Sequence, residues 1–118
     1  MRWLVALMLV LSLAGLARAD YIDLVKQTKN SLGLYCAEIP RVVENKLGFK
    51  EIFQNWLGAG ENGSYNVFLK LTFEKEVITD GVYMSYRWKP EYVWAVNRTS
   101  RDVTPLNALA RDWMVGKI

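Results

Sequence analysis

The residue types that carry most acid–base and nucleophilic chemistry are scarce in this chain. It contains no histidine and a single cysteine, Cys36. Without histidine the chain lacks the usual general base, the Ser–His and Cys–His nucleophile pairs, and most zinc sites. A pair of carboxylates could still supply an acid and a base. The acidic residues, however, fall in turns and on helix faces where nothing pairs them. We therefore predict a protein that is not an enzyme and has no catalytic residue, metal or cofactor.

Three side chains could instead be modified or cross-linked. Asn62 begins an Asn-Gly-Ser sequence, and Asn97 begins an Asn-Arg-Thr sequence. Both fit the acceptor pattern for N-glycosylation, which would place both sites on the surface of a secreted protein. Cys36 has no second cysteine to pair with, so it is either a buried small hydrophobe or a bridge to another chain.

The N-terminal segment has the pattern of a secretory signal peptide. Arg2 gives a short positive start, and residues 3–14 form a hydrophobic run broken only by Ser12. This run is too short for a typical membrane span, and an Ala-Arg-Ala cleavage sequence follows it. We expect residues 1–19 to be removed, which leaves residues 20–118 as one secreted, extracellular domain without membrane attachment. An N-terminal membrane anchor is the alternative.

Charge and composition limit the choice of partners. Loss of the two arginines of the signal peptide lowers the formal net charge from +3 to +1. So small a charge gives no broad phosphate-binding field, and we expect no nucleic-acid partner. The chain has five tryptophans, four of them within residues 20–118, which can supply the core that a small domain without an internal disulfide needs.

Alternating apolar residues predict an antiparallel hairpin. Residues 65–73 place five apolar side chains on one face of a strand. A second alternating run follows a connection over residues 75–81, which ends in Asp-Gly turn chemistry. The apolar face of this second run consists of Val82, Met84, Tyr86 and Trp88. A further strand is predicted over residues 92–96, with its own apolar face of Tyr92, Trp94 and Val96.

Helical spacing precedes and follows these strands. Gly33 and Pro40 divide the N-terminal region into an early helical piece and a firmer helix over residues 34–46, with Gly48 beyond its end. Thr104-Pro105 predicts the start of a C-terminal helix, with Thr as the cap and Pro at the first position. The apolar stripe of that helix is Leu106, Leu109, Ala110, Trp113 and Met114, and Gly116 follows as its stop.

One region has two interpretations. Residues 49–57 have the spacing of a helix, whereas their aromatic content and the need of the hairpin for a neighbour favour a strand. Residues 58–64 are predicted to be a flexible loop or a hairpin tip.

Four segments together resemble the cystatin family, most strongly its plant-type members. Residues 41–46, Arg-Val-Val-Glu-Asn-Lys, resemble the family's helix end, Ala-Val-x-Glu-x-Asn-Lys. Residues 47–52, Leu-Gly-Phe-Lys-Glu-Ile, are similar to the opening of its second strand. Residues 65–71 resemble the strand after its first binding loop, and residues 86–90 the strand that leads into its second. The resemblance covers about residues 34–96. It implies an α+β fold in which one helix packs on a curved antiparallel sheet of about four strands, to which we add a short C-terminal helix.

The resemblance also implies a function. Cystatins inhibit papain-like cysteine proteases by filling the active-site cleft with an N-terminal glycine region, a Gln-x-Val-x-Gly loop and a Pro-Trp loop. In this chain the corresponding protease-binding candidates are Gly33, Gln54, Trp56, Gly58, Lys89, Pro90 and Trp94.

The chain departs from the family pattern in these loops. Trp56 stands where the family has valine, and Glu91 follows Pro90 where the family has tryptophan. A glycan on Asn62 would sit at the tip of the wedge. Trp56, Trp88 and Trp94 have a second interpretation, which is packing in the core or on the sheet.

Two functions therefore stand side by side. The first is a secreted inhibitor that occludes the active site of a papain-like cysteine protease. The alternative is a non-inhibitory recognition or signalling protein on a cystatin-like scaffold, whose partner is another extracellular protein.

Overall fold

The computed structural model describes residues 20–61 and 63–118, which form an α+β fold with a five-stranded antiparallel sheet. The signal peptide predicted at residues 1–19 and the sequon residue Asn62 lie outside the described residues. In chain order the elements are helix α1 (residues 20–26), a 3-10 turn (Cys36–Glu38), helix α2 (Ile39–Leu47), strands β1 (Lys50–Glu61), β2 (Ser64–Thr79), β3 (Val82–Trp88), β4 (Glu91–Asn97) and β5 (Val103–Pro105), and helix α3 (Ala108–Met114).

Strand β2 is the centre of the sheet. One of its edges pairs with β1, and the other pairs first with β4 and then with β3. The pairs Phe73↔Trp88 and Lys70↔Glu91 belong to one continuous register, so β3 and β4 are two halves of a single long arm. Strand β5 covers the far edge of β4. The sheet therefore has three long antiparallel arms, the third of them divided into β3 and β4, and the three-residue β5 at its edge. An antiparallel sheet is what the sequence predicted.

The core lies on the inner face of this sheet. Alternate residues of β2 and β4 meet buried residues of all three helices and of the 3-10 turn in a single cluster. Its members are Val25, Cys36, Ile39, Val43, Tyr65, Val67, Leu69, Leu71, Phe73, Tyr92, Trp94, Val96, Ala110 and Trp113. The period of two that predicted the apolar faces of residues 65–73 and 92–96 is confirmed, and so is a helix packed on the sheet.

Residues 49–57 are resolved in favour of a strand, because β1 begins at Lys50. Of the two structures predicted for residues 58–64, the flexible loop is wrong, since β1 continues to Glu61 and β2 starts at Ser64. The hairpin tip is confirmed only at the end of this stretch, where Glu61 pairs with Ser64. Gly58 and Gly60 lie in the strand opposite Val67 and Tyr65. Glycine is needed at position 58 because a Cβ there would overlap the ring of Tyr65.

The connection predicted over residues 75–81 is also shorter than expected. Strand β2 continues to Thr79, and the turn is only Asp80 and Gly81, both at positive φ (52° and 75°). This is the two-residue hairpin geometry that matches the twist of the flanking strands. The apolar face predicted for the second run is exposed except at Trp88, which differs from the burial expected of an apolar strand face.

Helix α2 begins later than the sequence suggested. The early helical piece is confirmed at residues 20–26, whereas the helix predicted over residues 34–46 begins at Ile39 after the 3-10 turn. Pro40 lies in its first turn, and Gly48 ends it with φ 71°.

The predicted start of the C-terminal helix is wrong. Thr104 pairs with Ala95 in β5, and the helix cap is Asn107, whose side chain accepts a hydrogen bond from the backbone N–H of Ala110. Leu106 is therefore outside the helix and exposed. Within residues 20–61 and 63–118, none of the helices has the length and apolar character that crossing a bilayer requires.

Candidate functional site

Two of the predicted protease-binding residues lie in the middle of β1 rather than in a loop. Gln54 is paired with Leu71 and Trp56 with Leu69. In the amide orientation that satisfies its neighbours, Gln54 donates to the Glu51 carboxylate (3.0 Å) and accepts from the Trp56 indole N–H (2.8 Å). These contacts hold the two side chains along their own strand, so they form no hairpin tip.

Trp94 and Gly58 are not available to a partner. Trp94 is 0% exposed and lies between the rings of Trp56 (centroids 5.9 Å apart) and Tyr92 (6.0 Å). Its role is core packing, which corrects its assignment as a binding residue. Gly58 is covered by the Tyr65 ring.

The remaining candidates are dispersed. Lys89 and Pro90 line a shallow groove beside Phe53, in the middle of the long arm. Gly33, at φ 79°, belongs to a turn that is organised by the buried Asn30 and contacts the end of α3. The structure therefore does not assemble the seven candidates into one wedge.

A different set of residues does converge, at the end of the sheet where α1 begins. We call this the turn end; it consists of Asp20, Gly63 and residues 98–102. The backbone N–H of Arg98 donates to the carbonyl of Gly63 at 3.2 Å, which joins the β1–β2 turn to the β4–β5 turn. The Arg101 guanidinium lies 3.4 Å from the Asp20 carboxylate, which brings in the start of α1.

The sequon residue Asn97 lies beside the turn end and is exposed. Its side-chain oxygen accepts hydrogen bonds from the backbone N–H groups of Thr99 (2.9 Å) and Ser100 (3.0 Å). This leaves the amide nitrogen, the atom that a glycan would occupy, outside these bonds. The geometry is that of an Asx turn, in which the asparagine oxygen organises its own loop.

Several exposed large apolar side chains lie at the opposite end, on the outer part of the hairpin. We call residues 75–86 the β2–β3 ribbon, since β1 reaches β2 only as far as Glu74 and α2 ends at Leu47. The exposed large side chains of the ribbon are Ile78 (73%), Val82 (59%), Tyr83 (58%), Met84 (47%) and Tyr86 (46%). Ile78 and Tyr83 lie on one face of the ribbon, whereas Val82, Met84 and Tyr86 lie on the other. Because tyrosine and methionine are enriched at protein interfaces, these side chains make the ribbon a candidate binding surface.

Polar contacts on the ribbon are local. The Ser85 hydroxyl donates to the Glu74 carboxylate at 2.8 Å. The carboxylate of Glu76, which accepts from the Tyr83 phenol, raises the pKa of Tyr83. Arg87 is the only charged residue in β3. The sequence missed this surface because it indicated an apolar face without indicating how far the helices extend over it.

Cys36 is free and fully buried, as one of its two interpretations required. Burial raises the pKa of its thiol to about 11. A thiol in this environment is neutral and shielded from other chains, which argues against an intermolecular bridge in the folded protein.

The fold is thus an antiparallel sheet with helices on one face, with two exposed features, the turn end and the ribbon. The described residues contain no cluster of three or more His, Cys, Asp or Glu side chains that could hold a metal ion. No protein-family model matches the chain, and no similar protein was found among curated proteins or solved structures.

Proposed function

We propose that this protein is a secreted, non-enzymatic recognition protein that binds another extracellular protein through the β2–β3 ribbon. One observation carries the proposal: large apolar side chains of a ribbon that extends past its own core remain exposed on both faces. Burying such side chains in a partner is favourable by roughly 1.5–3 kcal/mol each. Tyr83 and Met84 would serve as the anchors, because a two-torsion aromatic buries a large area at little ordering cost and a flexible thioether adapts to an irregular partner surface.

A site-specific photo-crosslinker tests this function. Benzoylphenylalanine replaces Tyr83 in one variant and Tyr35 in a matched control, since Tyr35 is also exposed (43%) but lies away from the ribbon. After irradiation in extracellular fluid, we expect a discrete adduct from position 83 and none from position 35. Adding Met84→Asp should abolish that adduct. Equal labelling from both positions, or no adduct from position 83, would contradict the proposal.

The turn end favours a second candidate, occlusion of a papain-like cysteine protease. Three chain segments meet there, as the wedge of a cystatin does according to the family resemblance. The sequon residue Asn97 lies beside this surface, so an attached glycan would control access to it. The test is a titration of papain with glycosylated and with enzymatically deglycosylated protein. Inhibition that strengthens on deglycosylation, without cleavage of the protein, supports occlusion; no inhibition by either form at micromolar concentration removes it.

A further inference from the structure

We propose that the partner of the ribbon is a second copy of this chain, and that the two β3 strands pair antiparallel about a two-fold axis. The inference rests on the proposed function, since it names what the ribbon binds. The result would be one continuous sheet through two ribbons, formed by strand addition at an exposed edge.

The first support is the direction of the backbone groups on the long arm. In β4 the carbonyl of Val93 accepts from Leu106 N–H (2.8 Å), and Asn97 N–H donates to Asp102 (2.9 Å). Odd-numbered residues of this arm therefore direct their N–H and C=O groups away from β2. Because β3 continues in the same register, Tyr83, Ser85 and Arg87 direct theirs to the same side, where no strand of the described chain lies.

The second support is the lack of edge protection in β3. Proteins guard exposed edges with bulges, charged side chains (lysine above all), proline or glycine kinks. The other long exposed edge, β1, has a bulge between Glu51 and Phe53, starts at Lys50 and contains glycines. Strand β3 has a regular register over seven residues without a bulge, lysine, proline or glycine, and Arg87 is its one charged residue. It is therefore the less protected of the two long edges.

The third support is self-complementarity. If Ser85 lies on the two-fold axis, all three outward-facing residues of each copy find a bonding partner. Tyr83 then lies opposite the partner's Arg87, a pairing that suits a ring and a guanidinium. On the inner face, Met84 lies opposite the partner's Tyr86. No like charges face each other in this register.

The fourth support is a match of lengths. In the same register the turn of one copy, Asp80 and Gly81, comes opposite Pro90 and Lys89 of the other. The Asp80 carboxylate then approaches the Lys89 ammonium of the other copy. Beyond this point the outer edge of the arm is already paired, because the backbone N–H of Leu106 donates to the carbonyl of Val93. The free edge is therefore as long as the hairpin end that would fill it.

Sedimentation equilibrium of the purified protein, expressed as the full-length chain in a eukaryotic secretory host, tests the pairing. For an interface this small we expect a dimer with a dissociation constant on the order of 10 μM. Ser85→Pro removes the amide that faces the partner and no amide that faces β2, and it should raise the dissociation constant about 10- to 100-fold. Ser85→Ala is the matched control. It keeps the amide and loses only a hydroxyl that is already bonded within its own chain, so its dimerisation should equal that of the wild type.

A second variant keeps the test decisive if the proline disturbs the ribbon. Tyr83→Lys and Tyr83→Glu both remove the anchoring ring and should weaken the dimer, but Tyr83→Lys should weaken it more, because lysine then lies opposite the partner's Arg87 whereas glutamate forms an opposite-charge pair with it. A wild-type protein that stays monomeric up to hundreds of micromolar overturns the pairing, and so does a dimer indifferent to both Ser85→Pro and Tyr83→Lys. The crosslinking experiment separates this failure from that of the proposed function: an adduct of twice the chain mass indicates a second copy, and an adduct of another mass preserves ribbon-mediated recognition without self-pairing.

Discussion

The contact between Gly58 and Tyr65 predicts how Gly58→Ala changes stability. The substitution should stabilise the protein if Gly58 lies in a flexible loop and destabilise it if Gly58 lies in β1. If residues 58–64 were a flexible loop, Gly58→Ala would stabilise the protein by roughly 0.4–1 kcal/mol, because alanine restricts the unfolded chain. In the structure Gly58 is in β1 and its missing Cβ lies under the Tyr65 ring. Tyr65 is almost fully buried, so its ring has little room to move.

The size of this destabilisation depends on the contacts that the Tyr65 ring would lose if the new methyl group displaced it. Tyr65 contacts the Tyr21 ring (centroids 5.0 Å apart) and supports the Arg98 guanidinium (5.9 Å), and displacing it disturbs both. Overpacking of this kind costs roughly 1–3 kcal/mol. After the gain from the unfolded state is subtracted, we expect Gly58→Ala to destabilise the protein by about 1–2 kcal/mol. In a domain of this size that lowers Tm by roughly 5–12 °C.

Urea unfolding followed by tryptophan fluorescence measures the effect. The control is a double-mutant cycle with Tyr65→Leu, which removes the ring that occupies the space of the new methyl group. Tyr65→Leu alone should cost less than the ~3–5 kcal/mol of truncating an aromatic to alanine. In that background Gly58→Ala should become neutral or stabilising. Stabilisation by Gly58→Ala in the wild-type background would refute the strand register at this position.

Three further predictions concern other parts of the molecule. Because the Cys36 pKa rises from 9.0 to about 11 on folding, the free energy of unfolding should be unaffected by this group below pH 9 and should fall between pH 9 and 11, by up to about 2–3 kcal/mol. Cys36→Ala should remove that part of the pH dependence in urea titrations, and an unchanged slope would contradict the burial of a neutral thiol. Asn107→Ala should cost about 2–3 kcal/mol, since its side chain makes three hydrogen bonds to α3 and β4. Asn107→Asp, which keeps the acceptor oxygen, should cost less in the same assay. Thr99→Ala and Asn97→Gln should both remove a glycan, seen as loss of the gel shift that a glycosidase produces. Only Asn97→Gln should also lower Tm after deglycosylation, because it removes the Asx turn.

Much of the sheet could be predicted because its signal is local. Alternation of apolar and polar residues along residues 65–73 and 92–96 is a property of neighbouring positions. The apolar face of each of these two strands is buried, as expected. Gly48 and Gly116 were likewise predicted as helix stops, and both follow their helices at positive φ. Each of these features is decided within a few residues of chain.

The exposed ribbon could not be predicted in this way, because cover is a property of the whole fold. The nine residues of α2 extend about 13 Å at 1.5 Å per residue. The sixteen residues of β2 extend roughly 50 Å at about 3.3 Å per residue. One short helix therefore cannot shield the long hairpin. An apolar face on a strand indicates burial only where another element reaches it.

The misplaced start of the C-terminal helix has a different cause, which is competition between local and distant partners. Thr104 and Pro105 have favourable chemistry for a helix start, and Asn107 has it too. Pairing of Val103 and Thr104 with β4 takes these residues into the sheet. The cap then moves to Asn107, which also donates to the carbonyl of Glu91 at 2.7 Å. The sequence alone gave no reason to prefer the second cap.

The candidate wedge was misplaced because its short motifs were assigned to loops. Gln54, Trp56 and Gly58 have the right spacing for the family's first loop, but their strand continues beyond them to Glu61. Lys89 and Pro90 were assigned to the family's second loop, but the register of the long arm is the same on both sides of them. Where a hairpin ends depends on the pairing of both of its arms, which a five-residue motif does not contain.

Pro90 divides the long arm into a covered half and an uncovered half, with consequences for how binding can be measured. Its carbonyl accepts from Leu71 N–H at 3.1 Å, but proline has no N–H to return. On one side of Pro90, β4 is buried and its outer edge pairs with β5. On the other side, β3 is exposed, and no strand of the described residues pairs with its outer edge. Because Tyr83 and Met84 lie outside the core, substitutions there should change stability by no more than about 0.5 kcal/mol. A loss of binding in these variants, measured at unchanged Tm, would therefore report the interface itself and not a failure to fold.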